Sequence, residues 1–585
     1  MRHSFRLLGL ICAGALSLPL VAQLTPDQML FDFNDLAAIY AKRYGPYDWK
    51  KTLFGYDLLN LQPWTDQIST TTNDLDFYEV MVRYVASLHD THDAYSTPSN
   101  FTASVGLNVD IYDGKVIIDG INRSFLPAAT FPVQVGDQLL SVDGTDVTDL
   151  LAQNAVYAME ANDRSTLRQT ANTTLVNRSQ SRMPHAPMIG DTATLVIQRQ
   201  NGNVETYTVA WHTSGVPLYQ IGPVPSPQSL PAKRVAAAMP GQAPPYDPQS
   251  LPLGGLEISQ APEPMGILNF ASITPIFTLP SGFQQRLGKN SSTDFFYSGT
   301  FTSNGYTIGY IRIPTYNPSN TSTALSQFQT EIQYMEANTD GLIVDEMRNN
   351  GGLLCYGEAI VSYLMPTPYQ PLGYEIRATW EYVQLFGARL ASAMITGPQS
   401  LIDQYQMLYD ATMNAYMSTR GRTDAVPICG PTFTSSPAND GRGNVLAYTK
   451  PMIMLIDEYS LSTADSVPAM FQDNQRGPLV GMRSMGAGGS NSLNISSWQV
   501  GAYSEGSAGV TLSLMHRKNP VTVDGYPTTS YIENVGVQPD YMVDFMTLDN
   551  LLHGGKTFVN AFTNIMVQQI QSAQSTALGV PPQRR

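Results

Sequence analysis

Apolar residues at Leu75, Tyr78, Met81, Val85 and Leu88 recur every three or four positions. That spacing predicts a helix with a buried face. The run ends in the polar stretch Leu88-His89-Asp90-Thr91-His92-Asp93, and residues 25–100 read as mainly helical. Over 103–214 the pattern changes to short β-prone runs divided by turns, such as Lys115-Val-Ile-Ile-Asp119. Val135-Gly-Asp-Gln-Leu-Leu-Ser-Val-Asp-Gly144 predicts a strand entering an Asp-Gly hairpin turn. Thr192–Arg199 and Val204–Trp211 predict a second hairpin.

Between 216 and 265 the periodicity is lost and prolines accumulate among Gly, Ser and Ala. This predicts an exposed linker or long loop, a favourable place for proteolytic nicking, and its exposure suggests that it covers the site or tethers a covering element. From 266 onward, short apolar strands alternate with helices. Tyr306–Ile313, Leu342–Asp345 and Pro451–Ile456 read as strands, and Leu325, Phe328, Ile332 and Met335 as one helix face. Short buried strands between helices predict a layered α/β core. The chain is therefore an α/β multidomain protein. Its expected parts are a leader (1–22), an N-terminal helical region (23–102), a β module (103–215), a linker (216–265) and a core (266–585).

The 585 residues exceed one compact core, and 43% hydrophobic with 14% charged residues is the balance of a folded chain. A net charge of −15 without long basic runs argues against nucleic acid or an anionic membrane surface as partner. Arg2 and Arg6, the apolar stretch Leu7–Val21 and the small Ala22 read as a signal peptide cleaved near Ala22. The mature chain is thus expected in the periplasm or outside the cell, without a membrane span. Cys12 leaves with the leader. Cys355 and Cys429 could pair after export, although two separate buried thiols is the plainer reading.

Three places could carry chemistry. Ser462 follows a buried strand and opens a helix, where free N–H groups favour an oxyanion. A helix cap is the ordinary role for serine there, and Pro468 implies an irregular first turn. Asn349-Asn-Gly-Gly352 also follows a strand, and its glycines allow close approach to a ligand. His92 lies at a helix end and has the intrinsic pKa of a general base. A metal at His89 and His92 with Asp90 and Asp93 is disfavoured, since no HExxH pattern accompanies them. No serine stands in a Gly-x-Ser-x-Gly elbow.

The stretches "GLIVDEMRNNGG", "SLSTADSVPAMFQD", "LVGMRSMGAGG" and "IENVGVQPD" occur in this order. Together they resemble the core of the C-terminal processing (tail-specific) serine peptidases. "GDQLLSVDG" resembles part of a PDZ domain. "YGPYDWKKTLFGYDL" and "LHDTHD" are similar to the N-terminal region of the Ser/His/Glu branch, which includes the chlamydial protease-like activity factor.

The resemblance implies a crotonase-like ββα peptidase core, a PDZ-like domain and protein or peptide substrates. It implies no cofactor and no metal, and it leaves a homodimer open. Ser462 maps onto the nucleophile. Ala487 stands where lysine-dependent members carry their catalytic lysine, so the Ser/His/Glu branch is implied instead. His92 then maps onto the general base and Glu533 onto its orienting acid. Gly351 and Thr463 map onto the oxyanion donors, with Asn350 and Asp473 as structural supports. A catalytically inactive binding protein on the same fold is the alternative.

Overall fold

The computed structural model describes residues 23–219, 270–490, 503–504 and 506–577. The leader at 1–22 and all but the first four residues of the linker at 216–265 lie outside the described residues.

Four helices open the described chain: α1 (Pro26–Arg43), α2 (Tyr47–Phe54), α3 (Gln62–Thr70) and α4 (Asp74–Ala86). Thr25 starts α1 with a capping box shared with Gln28. Asn73 starts α4 by accepting from the Asp76 N–H at 2.9 Å. The expected apolar face of α4 is buried, but so are Phe77, Val80, Val82 and Tyr84 on its other sides. The helix is enclosed because the N-terminal region shares one apolar cluster with the core, including Ile311, Tyr316 and Leu512. The chain turns extended after residue 94, and Tyr95–Ser96 pairs with Ser507–Ala508.

The β module is a sheet of Leu107–Tyr112, Lys115–Ile121, Gln138–Val142, Thr192–Gln198 and Val204–Ala210, adjacent in that order and antiparallel. The Asp-Gly turn forms as expected. Asp143 and Gly144 have φ of 49° and 79°, and Val142 faces Thr145. Two helices, α5 (Val147–Asn154) and α6 (Asp163–Thr170), accompany the sheet. The module has its own apolar cluster, with Leu107, Ile118, Leu139 and Leu195 in it.

The core is a seven-stranded mixed sheet. Its order is Gln284–Leu287, Tyr297–Ser303, Tyr306–Arg312, Gly341–Asp345, Met452–Ile456, Leu479–Gly481, Tyr541–Met542. The first three strands pair antiparallel and the rest parallel. Of the central strands, Met452–Ile456 is apolar throughout and Gly341–Asp345 is apolar up to its last residue, where Asp345 pairs with Arg312, because helices cover both faces. Leu342, Val344, Met454 and Ile456 pack with Phe328 and Ile332 of α7 (Thr321–Asn338). Their alternates Ile343, Ile453 and Leu455 pack with Phe558, Phe562 and Met566 of a C-terminal helix, Lys556–Ala577. The period of two along each strand thus sorts its side chains into two layers.

Cys355, on α8 (Leu354–Leu364), forms a disulfide with Cys429. This corrects the reading of two separate thiols. The tertiary fold brings the two Cα atoms to 5.2 Å across 74 residues of sequence. Among the described residues, no helix is long and apolar enough to cross a membrane.

Candidate active site

Ser462 joins the buried strand Met452–Ile456 to the helix Thr463–Asp473, here α9. Its backbone has φ 60° and ψ −113°, outside the extended conformation of an ordinary N-cap. Such a backbone in a residue with a Cβ costs about 1–3 kcal/mol and persists only where its surroundings enforce it. Asp465 supplies much of that enforcement. Its Oδ2 accepts from the N–H of Ser462 at 2.8 Å and of Ala487 at 3.0 Å. Its Oδ1 accepts from the Ser484 hydroxyl and the Gly486 N–H at 2.5 and 2.9 Å. Burial pushes the Asp465 carboxyl up to about 6, against these four donors. The first turn of α9 is tight, with the Ala464 and Asp465 amides reaching back three residues. Pro468 lies further along, inside the helix.

Gly351 sits against the serine. Its φ is 73°, and a Cβ built on it would lie 2.5 Å from the Leu461 carbonyl oxygen, 2.8 Å from Ser462 Cβ and 3.1 Å from the Thr463 nitrogen. Thr463 is the first residue of α9, where an amide has no carbonyl of a preceding turn to bond. The Gly351 amide donates to Asn349 Oδ1 at 2.9 Å, so it is engaged within its own loop. Asn349 also donates to the Ile313 carbonyl at 2.9 Å, and its own carbonyl accepts from the Leu461 amide at 3.1 Å. These bonds tie the glycine loop to the serine loop. Asn350 lies in the same loop, partly buried. Asp473, at the far end of α9, forms a buried pair with Arg517 at 2.7 Å.

His92 and Glu533 lie in a second cluster. The His92 side chain is buried, with Nδ1 3.9 Å from Asp90 Oδ1. Burial lowers its pKa from the ordinary value; Asp90 opposes this, and Lys50 lowers it further. Glu533 is fully buried. Burial and the nearby Asp90 push its carboxyl up, and Lys50 pulls it back. Its Oε1 accepts from Lys50 Nζ at 2.5 Å, and its backbone carbonyl from the Trp49 indole N–H at 2.9 Å.

The two clusters are linked. The strand that follows Ala487 passes against Glu533: a Cβ on Gly488 would lie 2.0 Å from the Glu533 nitrogen. The segment 160–168 of the β module touches the loops that carry His92, Ser484, Glu533 and Ser462. The Ala161 N–H donates to Thr91 Oγ1, and Asn162 Nδ2 to the Ser484 carbonyl. Asn534 Nδ2 donates to the carbonyls of His89 and Ala161. Arg168 bonds Asp110 through two nitrogens, at 2.9 and 2.6 Å, and Glu458 at 2.8 Å. Burial would raise Glu458, but Arg168 and Arg164 overrule it and hold the carboxyl down. Glu458 lies four residues before Ser462, so this pair reaches from the module to the serine loop.

Three participants escaped the sequence reading. Asp465 stood inside "SLSTAD", and an acid three residues after a serine was a visible local signal. Asp90 stands inside "LHDTHD", where the sequence suggests only a disfavoured metal site. Lys50 had no local signal, because its partners lie hundreds of residues away.

Comparison with known proteins fits this architecture. Residues 307–543 match the peptidase family S41 model, and residues 102–220 match a PDZ domain. A Chlamydia pneumoniae protein is 26% identical over 633 aligned residues, covering 98% of this chain and 96% of that protein. A Chlamydia trachomatis serovar D protein is 25% identical over 598, covering 93% of each. The structure of mature CPAF complexed with lactacystin shares the fold at a TM-score of 0.71 and 21% identity, over 94% of this chain and 99% of that one. Mature CPAF alone gives 0.69 and 21%, over 94% and 98%. Residues 307–543 are thus similar to peptidase family S41 and residues 102–220 to a PDZ domain, and the chain has the fold of mature CPAF.

Proposed function

We propose that the protein is an exported serine endopeptidase that cleaves peptide bonds through an acyl-enzyme on Ser462. The observation that carries this reading is the strained Ser462 at a helix start, with Gly351 packed on its Cβ. A serine used only as a cap has no need of that backbone.

His92 is the general base. Its buried imidazole favours the neutral form, which can accept the Ser462 proton as the hydroxyl attacks the substrate carbonyl. Glu533 orients the imidazole and stabilises the imidazolium. Its Oε2 is buried without a hydrogen-bond partner among the described residues, and is available for that bond. The tetrahedral oxyanion is held by the Thr463 and Gly351 amides. The Gly351 amide exchanges Asn349 Oδ1 for the oxyanion when substrate arrives. His92 then protonates the leaving amine, and water releases the acyl group. Asn350 and Asp473 support the loop and the helix. Export is supported by the leader sequence and by the Cys355–Cys429 disulfide, since such bonds persist in oxidising compartments.

The test is casein hydrolysis and fluorophosphonate labelling of the mature chain beside Ser462→Ala, His92→Ala and Glu533→Gln. Loss on the order of 10⁴-fold in the first two supports the assignment. A fully active His92→Ala enzyme would refute the base.

A further inference from the structure

Lys50 comes from α2, far from any peptidase motif, yet its ammonium ends beside Glu533. It is almost fully buried, and its Nζ has three oxygen acceptors: Glu533 Oε1 at 2.5 Å, Asn534 Oδ1 at 2.7 Å and the His89 carbonyl at 2.9 Å. Three acceptors match the three N–H bonds of an ammonium. The preceding residue grips the same position, since Trp49 donates to the Glu533 carbonyl and packs its ring on Tyr531. Residues 49 and 50 therefore hold both the backbone and the carboxylate of residue 533.

A buried ion pair is a poor device for stability, because desolvation offsets much of the attraction and apolar residues of similar volume often serve as well. The surroundings make the need for a cation specific. Glu533 is faced by Asp90 and Asp93 from the segment after α4, by Tyr44 just before α2, and by the Gly488 backbone. His92 shares this neighbourhood with Asp90 and Lys50. Three buried acids thus crowd one place, and among the described residues Lys50 is the cation that faces them. Without that charge, a buried carboxyl beside two others favours its neutral form.

We propose that Lys50 is a positioning residue of the peptidase reaction: its ammonium fixes the Glu533 carboxyl and sets a positive charge against it, so that Glu533 can hold His92. The mature enzyme would draw this support from its N-terminal helices rather than from the core that carries Ser462.

The inference rests on the assignment of Ser462, His92 and Glu533. The test is the pH profile of kcat/KM for the mature chain and for Lys50→Met, Lys50→Arg and Asn534→Asp, each checked by thermal melting. Removing the cation raises the pH at which Glu533 ionises and also eases protonation of His92, so both effects move the acid limb upward. Lys50→Met should lose at least about tenfold at pH 7 and shift its acid limb up by about one pH unit or more. Lys50→Arg should keep the limb in place. Asn534→Asp puts a second carboxylate on Nζ and should shift the limb upward by less, which keeps the proposal testable if Lys50→Met does not fold. A Lys50→Met or Asn534→Asp profile merely lowered in parallel, or unchanged, would overturn the proposal. If Glu533→Gln kept full activity, the underlying assignment would fall instead.

Discussion

Replacing Gly351 by alanine is a sharp test of how the serine is held. Two effects add. An L-residue at φ 73° costs about 1–2 kcal/mol by itself. The new methyl would also sit 2.5 Å from the Leu461 carbonyl oxygen and 2.8 Å from Ser462 Cβ, where ordinary contact begins at 3.4 Å. The serine loop or the glycine loop must therefore move by about 0.6–0.9 Å, and both neighbours belong to the strained segment itself. Misplacement by about 1 Å costs on the order of 10²-fold in rate. Gly351→Ala should lose roughly that much kcat in casein hydrolysis, and its fluorophosphonate labelling should slow in step. Thermal melting should show a folded protein, since the substitution lies outside the two apolar layers. Activity within about threefold of the unmodified chain would show that Gly351 does not set the nucleophile, and would refute the reasoning.

Burial lowers the pKa of His92 below its ordinary 6.5, so if this imidazole is the base its own contribution to the acid limb of kcat/KM should lie below that value. Asp90→Asn removes the charge that opposes this shift and should move the limb lower still; an upward move would contradict it. Replacing Cys355 and Cys429 by serine releases a loop of 74 residues and should cost about 4 kcal/mol in reversible denaturant unfolding, where no change would mean the bond does not restrain the unfolded chain. Arg168→Met leaves Asp110 and Glu458 buried without that partner and should cost about 3–5 kcal/mol. The same variant should lower activity, because Glu458 stands at the foot of the serine loop; full activity at normal stability would break that link.

Much of the architecture could be read from neighbouring residues alone. The apolar runs at 342–344 and 451–456 marked buried strands, because a strand covered on both faces has no polar side. The Asp143-Gly144 turn was legible because a tight hairpin demands positive φ at adjacent positions. Ser462, the glycine loop and α9 were legible for the same kind of reason: strand, turn and helix start lie within about a dozen residues. The order of the motifs also marked His92 and Glu533 as candidates.

Only the tertiary structure decided what surrounds them. Lys50 and Glu533 are 483 residues apart, Asn162 and Ser484 are 322, and Arg168 and Glu458 are 290. Periodicity reports which side of an element is buried, not which distant charge it meets there. The disulfide likewise needed the fold to bring α8 and Cys429 together. The engagement of the Gly351 amide by Asn349 also had to be seen in three dimensions, since the same Asn-Asn-Gly-Gly sequence permits a free amide or a closed turn. Local patterning marks the elements and the candidate reactive residues; packing between helices and core sets which charges stand beside them.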